Sequence, residues 1–227
     1  MTFPILYSLQ NCPYAMRARL AILLAQQTIE LRAIVMQNKP AEFLAISPKG
    51  TVPVLILEND EACNHKTVGN KCVIDESLDV MLWALMRNDP ENLLYSQDAD
   101  ALPEMLQLIA QNDQQFIPRL EQYQCARRFH GNDEEDCRLQ CEPFLLQLEH
   151  RLAEDKFLMG STPSLLDYAL LPFVRKYSRV NKQLFLQGPY AHLHSWLNYH
   201  LQSRLFSKAM HNYPLWLDND EECIFAN

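Results

Sequence analysis

A chain of 227 residues with 48% hydrophobic and 21% charged residues has the composition of a folded globular protein. Its length allows a core that needs no disulfide or metal staples. The formal net charge of −8 argues against nucleic acid and anionic membranes as partners, because such binders carry a basic footprint and the basic runs here are no longer than Arg127-Arg128 and Arg175-Lys176.

The sequence opens on Met1-Thr2-Phe3-Pro4-Ile5 without a basic region, apolar stretch and small-residue cleavage site, so a secretory signal is not expected. No apolar run approaches transmembrane length. The seven cysteines (Cys12, Cys63, Cys72, Cys125, Cys137, Cys141 and Cys223) form an odd set without framework spacing. That pattern favours reduced thiols and a cytoplasmic location over a disulfide scaffold.

In chain order, the apolar run Phe3 to Ser8 predicts a buried strand. A turn at Gln10-Asn11 follows, and Pro13 suits the first turn of a helix that runs to Gln26 through Ala15, Ala18, Ile22 and Ala25. Alternation from Ile29 to Val35 predicts a second strand, Pro40 to Ile46 a short helix, and Thr51 to Leu57 a third strand. The polar stretch Glu58 to Lys71 reads as an exposed loop or extended hairpin tip ahead of a short strand, Cys72 to Ile74. A helix starts near Glu76 and runs through Leu85. This β-α-β-α-β-β-α order describes a small α/β domain. The linker signal Asn88-Asp89-Pro90-Glu91-Asn92 ends it, and beyond it the periodicity is helical only: about 102–125, 133–152, 165–177, 191–201 and 205–210. Domains of 1–88 and 99–227 are expected, the second all-helical.

Cys12 sits at a strand end, immediately before a helix opening with proline. Unpaired first-turn amides and the positive end of the helix dipole then face its sulfur, an arrangement that favours a nucleophilic thiol. Ala15 stands where a two-cysteine motif would place its second sulfur, so Cys12 has no local partner with which to close a disulfide. A mixed disulfide formed there needs an outside thiol to resolve it. Tyr7, on the apolar first strand, reads as core. Cys137 and Cys141 lie one helical turn apart with Cys125 and His130 nearby, but they match no zinc pattern and read as small core residues, so no metal is expected.

The order of elements, with Cys12-Pro13-Tyr14-Ala15 at the first strand-to-helix junction, resembles the glutathione transferase superfamily: a thioredoxin-like domain followed by an all-α domain. Cysteine-type members, omega-like or helical-domain glutaredoxins, share this cysteine-proline-aromatic start. The resemblance implies glutathione as cosubstrate and a two-fold homodimer. It makes Thr51-Val52-Pro53 the loop in which a cis Pro53 exposes the backbone of Val52 to the cysteinyl part of glutathione. Asp75-Glu76-Ser77 becomes the γ-glutamyl site, where Ser77 and the first helix amides hold a carboxylate and Glu76 accepts the ammonium. Lys39 matches the lysine that omega-type members direct at glutathione, and Ser164-Leu165-Leu166-Asp167 resembles the family's capping box. The longer hairpin of Glu58 to Lys71, with Cys63 and His65, departs from the pattern. The implied activity is glutathione-dependent thiol transfer through Cys12 to a small-molecule or disulfide substrate. Conjugation of glutathione to electrophiles is an alternative, and non-catalytic protein binding on the same fold is another. Met105, Phe116 and Trp216 are available for a substrate pocket, but nothing in the sequence selects them.

Overall fold

The computed structural model describes residues 3–58, 64–219 and 222–226, with Asn219 as backbone only. Cys63 therefore lies outside the described residues. The chain forms two compact units, 1–91 with 204–227, and 92–203. Residues 204–227, assigned on sequence to the helical half, belong to the first unit.

The first unit contains β1 (Ile5–Ser8), α1 (Pro13–Leu24), β2 (Ile29–Ala33), α2 (Ala41–Ile46), β3 (Val54–Glu58), β4 (Lys66–Val68), β5 (Lys71–Ile74) and α3 (Ser77–Arg87). The mixed sheet has the order β4-β5-β3-β1-β2-β6, where β6 is the C-terminal Ile224–Phe225. Among the described strands β1 and β2 pair in parallel and the other pairs run antiparallel; Leu6 stands opposite Leu31 on one side and Leu55 on the other. Strands β1 and β3 lie inside the sheet and are buried nearly throughout, which is why they read as continuous apolar runs. Helix α1 is buried from Ala15 to Leu24, Arg17 and Arg19 included. Its apolar character is therefore not confined to one stripe, as in a helix enclosed by its surroundings.

Part of the stretch expected as a loop is a hairpin. Strand β4 pairs with β5, Thr67 opposite Cys72, across a turn at Gly69-Asn70. Gly69 has φ +63°, a left-handed conformation that costs a side-chain-bearing residue and not glycine. Cys72 is disulfide-bonded, which corrects the expectation of reduced thiols throughout. The expectation rested on an odd count, and an odd count leaves room for a bridge.

The second unit holds α4 (Ala101–Gln111), α5 (Ile117–Phe129), α6 (Glu134–Glu154), α7 (Leu165–Ser178), α8 (Lys182–Gln187) and α9 (Ala191–Leu201). A π-helical turn, Asn112–Phe116, joins α4 to α5 where the periodicity suggested one unbroken helix. Pro118 has no N–H to offer the carbonyl four residues back, and the widened turn falls where that bond would be missing. Ser164 caps α7 in a complete capping box with Asp167. Met105 and Phe116 are fully buried in this unit's core. After it come α10 (Arg204–Ala209) and α11 (Trp216–Asn219), both in the first unit.

His200 is a buried titratable group of the second unit. Its ring is 2% exposed and lies edge-on to Trp196, Tyr168 and Tyr199 at centroid distances of 5.1, 5.2 and 5.3 Å. Burial pulls its pKa from 6.5 to about 4. Stability is therefore full above pH 6.5 and falls as pH drops towards 4, because the unfolded chain then takes up a proton that the folded ring refuses. The interval amounts to roughly 3 kcal/mol at about 1.4 kcal/mol per pKa unit. His200→Phe should escape this loss. Urea denaturation of both proteins at pH 7 and pH 4.5 should show the gap between wild type and variant shifting by roughly 2–3 kcal/mol in the variant's favour at the lower pH. An unchanged gap would show that His200 titrates normally.

Candidate functional site

Strand β1 delivers the chain to the mouth of the first unit, and the turn that follows places Cys12. Its N–H donates to Leu9 O at 3.1 Å, and its carbonyl accepts from Met16 N at 2.9 Å. Cys12 is the N-cap of α1, with extended φ/ψ of −74°/123° and Pro13 behind it. Its half-buried thiol donates to the Val52 carbonyl oxygen at 3.8 Å.

Opposite Cys12 the loop into β3 carries a cis Val52–Pro53 bond. Val52 is buried while Thr51 beside it is exposed. The chain returns along β5 to Asp75 and Glu76, and α3 begins at Ser77. Glu76 is the N-cap of α3, with an exposed side chain; Ser77 is 5% exposed in its first turn. Lys49 ion-pairs with Glu76, and this hydrogen bond raises the pKa of the lysine.

These residues share one cleft of about 420 Å³. Cys12, Val52, Pro53, Glu76 and Ser77 line it, and Leu9, Tyr14 and Met36 supply much of its apolar wall. The cleft thus presents a thiol, an apolar wall, an anion on Glu76, a cation on Lys49 and the N-terminus of α3. Such a surface suits a small zwitterionic ligand with a sulfur at one end.

Lys39 is not brought there. It is half-buried, with its nitrogen 3.1 Å from where a Cβ on Gly50 would stand, and the lysine that lines the cleft is Lys49. The signal for Lys49 was its place in Ser47-Pro48-Lys49-Gly50, immediately ahead of Thr51-Val52-Pro53. Met36, also in the cleft, carries no such signal, whereas Tyr14 belongs to the cysteine-proline-aromatic start. Tyr7 is 1% exposed; its hydroxyl donates to Glu42 at 3.2 Å and accepts from Arg32 at 3.0 Å. Burial pushes its pKa to about 12. Trp216 stacks on Arg32 at 4.0 Å and donates to Glu42 at 2.6 Å.

The other thiols differ from Cys12 in setting. Cys141 is fully buried, its pKa pushed to about 12 by burial, and its sulfur donates to the Cys137 carbonyl at 3.5 Å. Burial also raises Cys137, whose sulfur donates to Asp133 at 3.8 Å. Among the described residues, no three His, Cys, Asp or Glu side chains gather as a metal would require. None of the described helices is long and apolar enough to cross a membrane.

The glutathione S-transferase N-terminal domain family matches residues 6–92, and the glutathione S-transferase C-terminal domain family matches residues 132–198. None of the curated proteins matches the chain in sequence. Among solved structures, a glutathione transferase family member from Pseudomonas fluorescens with two glutathione bound has a TM-score of 0.77, at 16% identity over 92% of each chain. Glutathione transferase Omega 2C from Trametes versicolor reaches 0.73 at 20% identity, over 93% of this chain and 94% of its own. Ure2p in complex with S-hexylglutathione reaches 0.75 at 17% identity, over 92% of this chain and 99% of its own. At these identities the likeness is one of fold. With both family domains matched in order, on a mixed sheet followed by a helical unit, the chain belongs to the glutathione transferase superfamily.

Proposed function

We propose that the protein is a glutathione-dependent thiol transferase, acting as a homodimer, with Cys12 as its nucleophile. The observation that carries the reading is the meeting of Cys12 with Val52, Pro53, Glu76 and Ser77 in one cleft. Cys12, as thiolate, attacks the glutathionyl sulfur of a mixed disulfide. The S–S bond breaks and the substrate leaves as a thiolate that takes up a proton from water. Cys12 is then disulfide-linked to glutathione. A second glutathione attacks that bond as thiolate, leaves as oxidised glutathione and returns Cys12 to its starting form. One disulfide is reduced and one is formed. Ala15 supports this route, because no neighbouring cysteine competes with the second glutathione. The α-ammonium of glutathione would exchange for Lys49 on Glu76, and its γ-glutamyl carboxylate would take the Ser77 hydroxyl and the first amides of α3. In this reading Lys49 takes the role that the resemblance gave to Lys39.

Glutathione binding should accordingly depend on both acidic and hydroxyl groups. Losing a hydrogen bond to a charged group costs roughly 1.5–3 kcal/mol, so Glu76→Ala and Ser77→Ala should each weaken binding by about tenfold or more. Isothermal calorimetry with reduced glutathione measures this directly. Unchanged affinity in both variants would remove the site assignment.

A further inference from the structure

Arg19 lies on α1, two turns from Cys12, and is 2% exposed. Its Nε donates to Ala209 O at 2.7 Å. One terminal nitrogen donates to Ser8 Oγ and to Leu9 O at 3.2 Å, the other to Gln10 O at 2.6 Å and to Met210 Sδ at 3.8 Å. One guanidinium thus ties together the end of β1, the loop that presents Cys12, and the end of α10. Leu9, whose carbonyl Arg19 holds, also accepts the Cys12 N–H. Gln10 reinforces the tie by donating to Met210 O at 3.2 Å.

Among the described residues no carboxylate pairs with this buried cation. Carbonyl dipoles surround it, and its favourable charge interactions are with Cys12 and Tyr213. Burial accordingly pulls its pKa to about 10, with those two groups pulling the other way. A buried positive charge without a counter-ion is costly, and an ionised sulfur nearby relieves it.

We infer that Arg19 is a positioning residue for Cys12, fixing the loop that carries the thiol and supplying the positive charge that its thiolate faces. The C-terminal segment, through Ala209 and Met210, is then part of the support of the site. This rests on Cys12 being the reacting thiol. Other charged and titratable groups around the pair are His211 and Tyr213 after α10, Tyr14 on α1, and Lys49, Asp75 and Glu76 across the cleft. Lys49 and Glu76 neutralise one another there.

The test is the rate of Cys12 alkylation by iodoacetamide between pH 5 and 9, read by peptide mass spectrometry on the wild type, Arg19→Lys and Arg19→Met. Removing a nearby cation disfavours an anion. The rate at pH 6.5 should therefore fall about threefold or more in Arg19→Met, with its profile displaced to higher pH. Arg19→Lys, which keeps the charge and loses the fork, should lie between. A residue with a merely structural role would change the melting temperature and leave the profile where it was. Cys141, fully buried on α6, becomes open to the reagent only when the structure opens, so its alkylation reports any general unfolding. If Arg19→Met fails to fold, Arg19→Lys decides. A folded variant of either kind whose Cys12 profile coincides with wild type overturns the inference. Alkylation involves no glutathione, so a failure of thiol transfer is read separately from a failure of this inference.

Discussion

Cys12→Ser should abolish glutathione-dependent reduction of a small disulfide or of dehydroascorbate, and should spare or raise conjugation of glutathione to a chloronitrobenzene. Reduction runs through a covalent bond between Cys12 and glutathione, and a serine oxygen cannot form that disulfide. Conjugation asks only that glutathione's own sulfur be held as thiolate beside the helix, and a serine hydroxyl can donate a hydrogen bond to it. The two activities therefore separate at one atom. The environment supports the substitution: Cys12 is half-buried, its thiol donates to the Val52 carbonyl, and a hydroxyl can take the same partner. The fold should survive, and residual reduction should fall to the background of glutathione alone. Both rates are measured on wild type and variant at one pH with saturating glutathione. Retained reductase activity in Cys12→Ser would remove Cys12 as the nucleophile. Brisk conjugation with no reduction in the wild type would make this a conjugating transferase.

Much of the architecture was legible because burial writes itself into local sequence. Strands β1 and β3 are interior and uninterrupted by polar residues, and α1 announces its start with Pro13. The misses share a cause. Strand β4 is three residues long and lies at the sheet edge, and Lys66 and Thr67 are exposed, so no apolar period marks it. Strand β6 is two residues, Ile224–Phe225, and owes its existence to pairing with Ile29 and Glu30 almost two hundred positions earlier. No local signal reports such a partner. The same limit applied at the cleft. Cys12-Pro13, Val52-Pro53 and Glu76-Ser77 each lie at the junction of an element, where sequence punctuation is strongest, and the structure gathers them. Lys39 and Lys49 flank α2, and which of them reaches the cleft is a matter of tertiary direction. Nothing local marks Arg19, and its Nε bond to Ala209 O comes from the return of the C-terminal segment almost two hundred positions later.

Asp167→Ala should be the most damaging single change in the helical unit, and the reason is visible in what the carboxylate holds. The side chain is fully buried. One oxygen accepts from Ser164 N at 2.8 Å and Ser164 Oγ at 2.6 Å. The other accepts from Leu158 N at 3.0 Å and Trp196 Nε1 at 2.8 Å. Four donors thus stand in for a cation, joining the turn after α6, the start of α7 and the middle of α9. Burial raises the pKa of this carboxyl, and the four hydrogen bonds oppose the rise. Alanine would leave four donors in the core with no acceptor and a cavity where the carboxylate stood. At about 1–3 kcal/mol for each buried donor left unsatisfied, partly relieved by relaxation, the loss should be roughly 3–5 kcal/mol, the range for breaking a buried polar network. That is a large share of a typical stability of about 5–15 kcal/mol. Ser164→Ala, which removes one donor and the N-cap acceptor but leaves the carboxylate its other three partners, should cost only about 1 kcal/mol. Asp167→Asn keeps the volume but turns an amide nitrogen towards two of the donors, so it should fall between. Urea denaturation of the three variants followed by tryptophan fluorescence measures the series. If Asp167→Ala costs no more than Ser164→Ala, the carboxylate is only a helix cap, and the tie to Trp196 and Leu158 contributes nothing to stability.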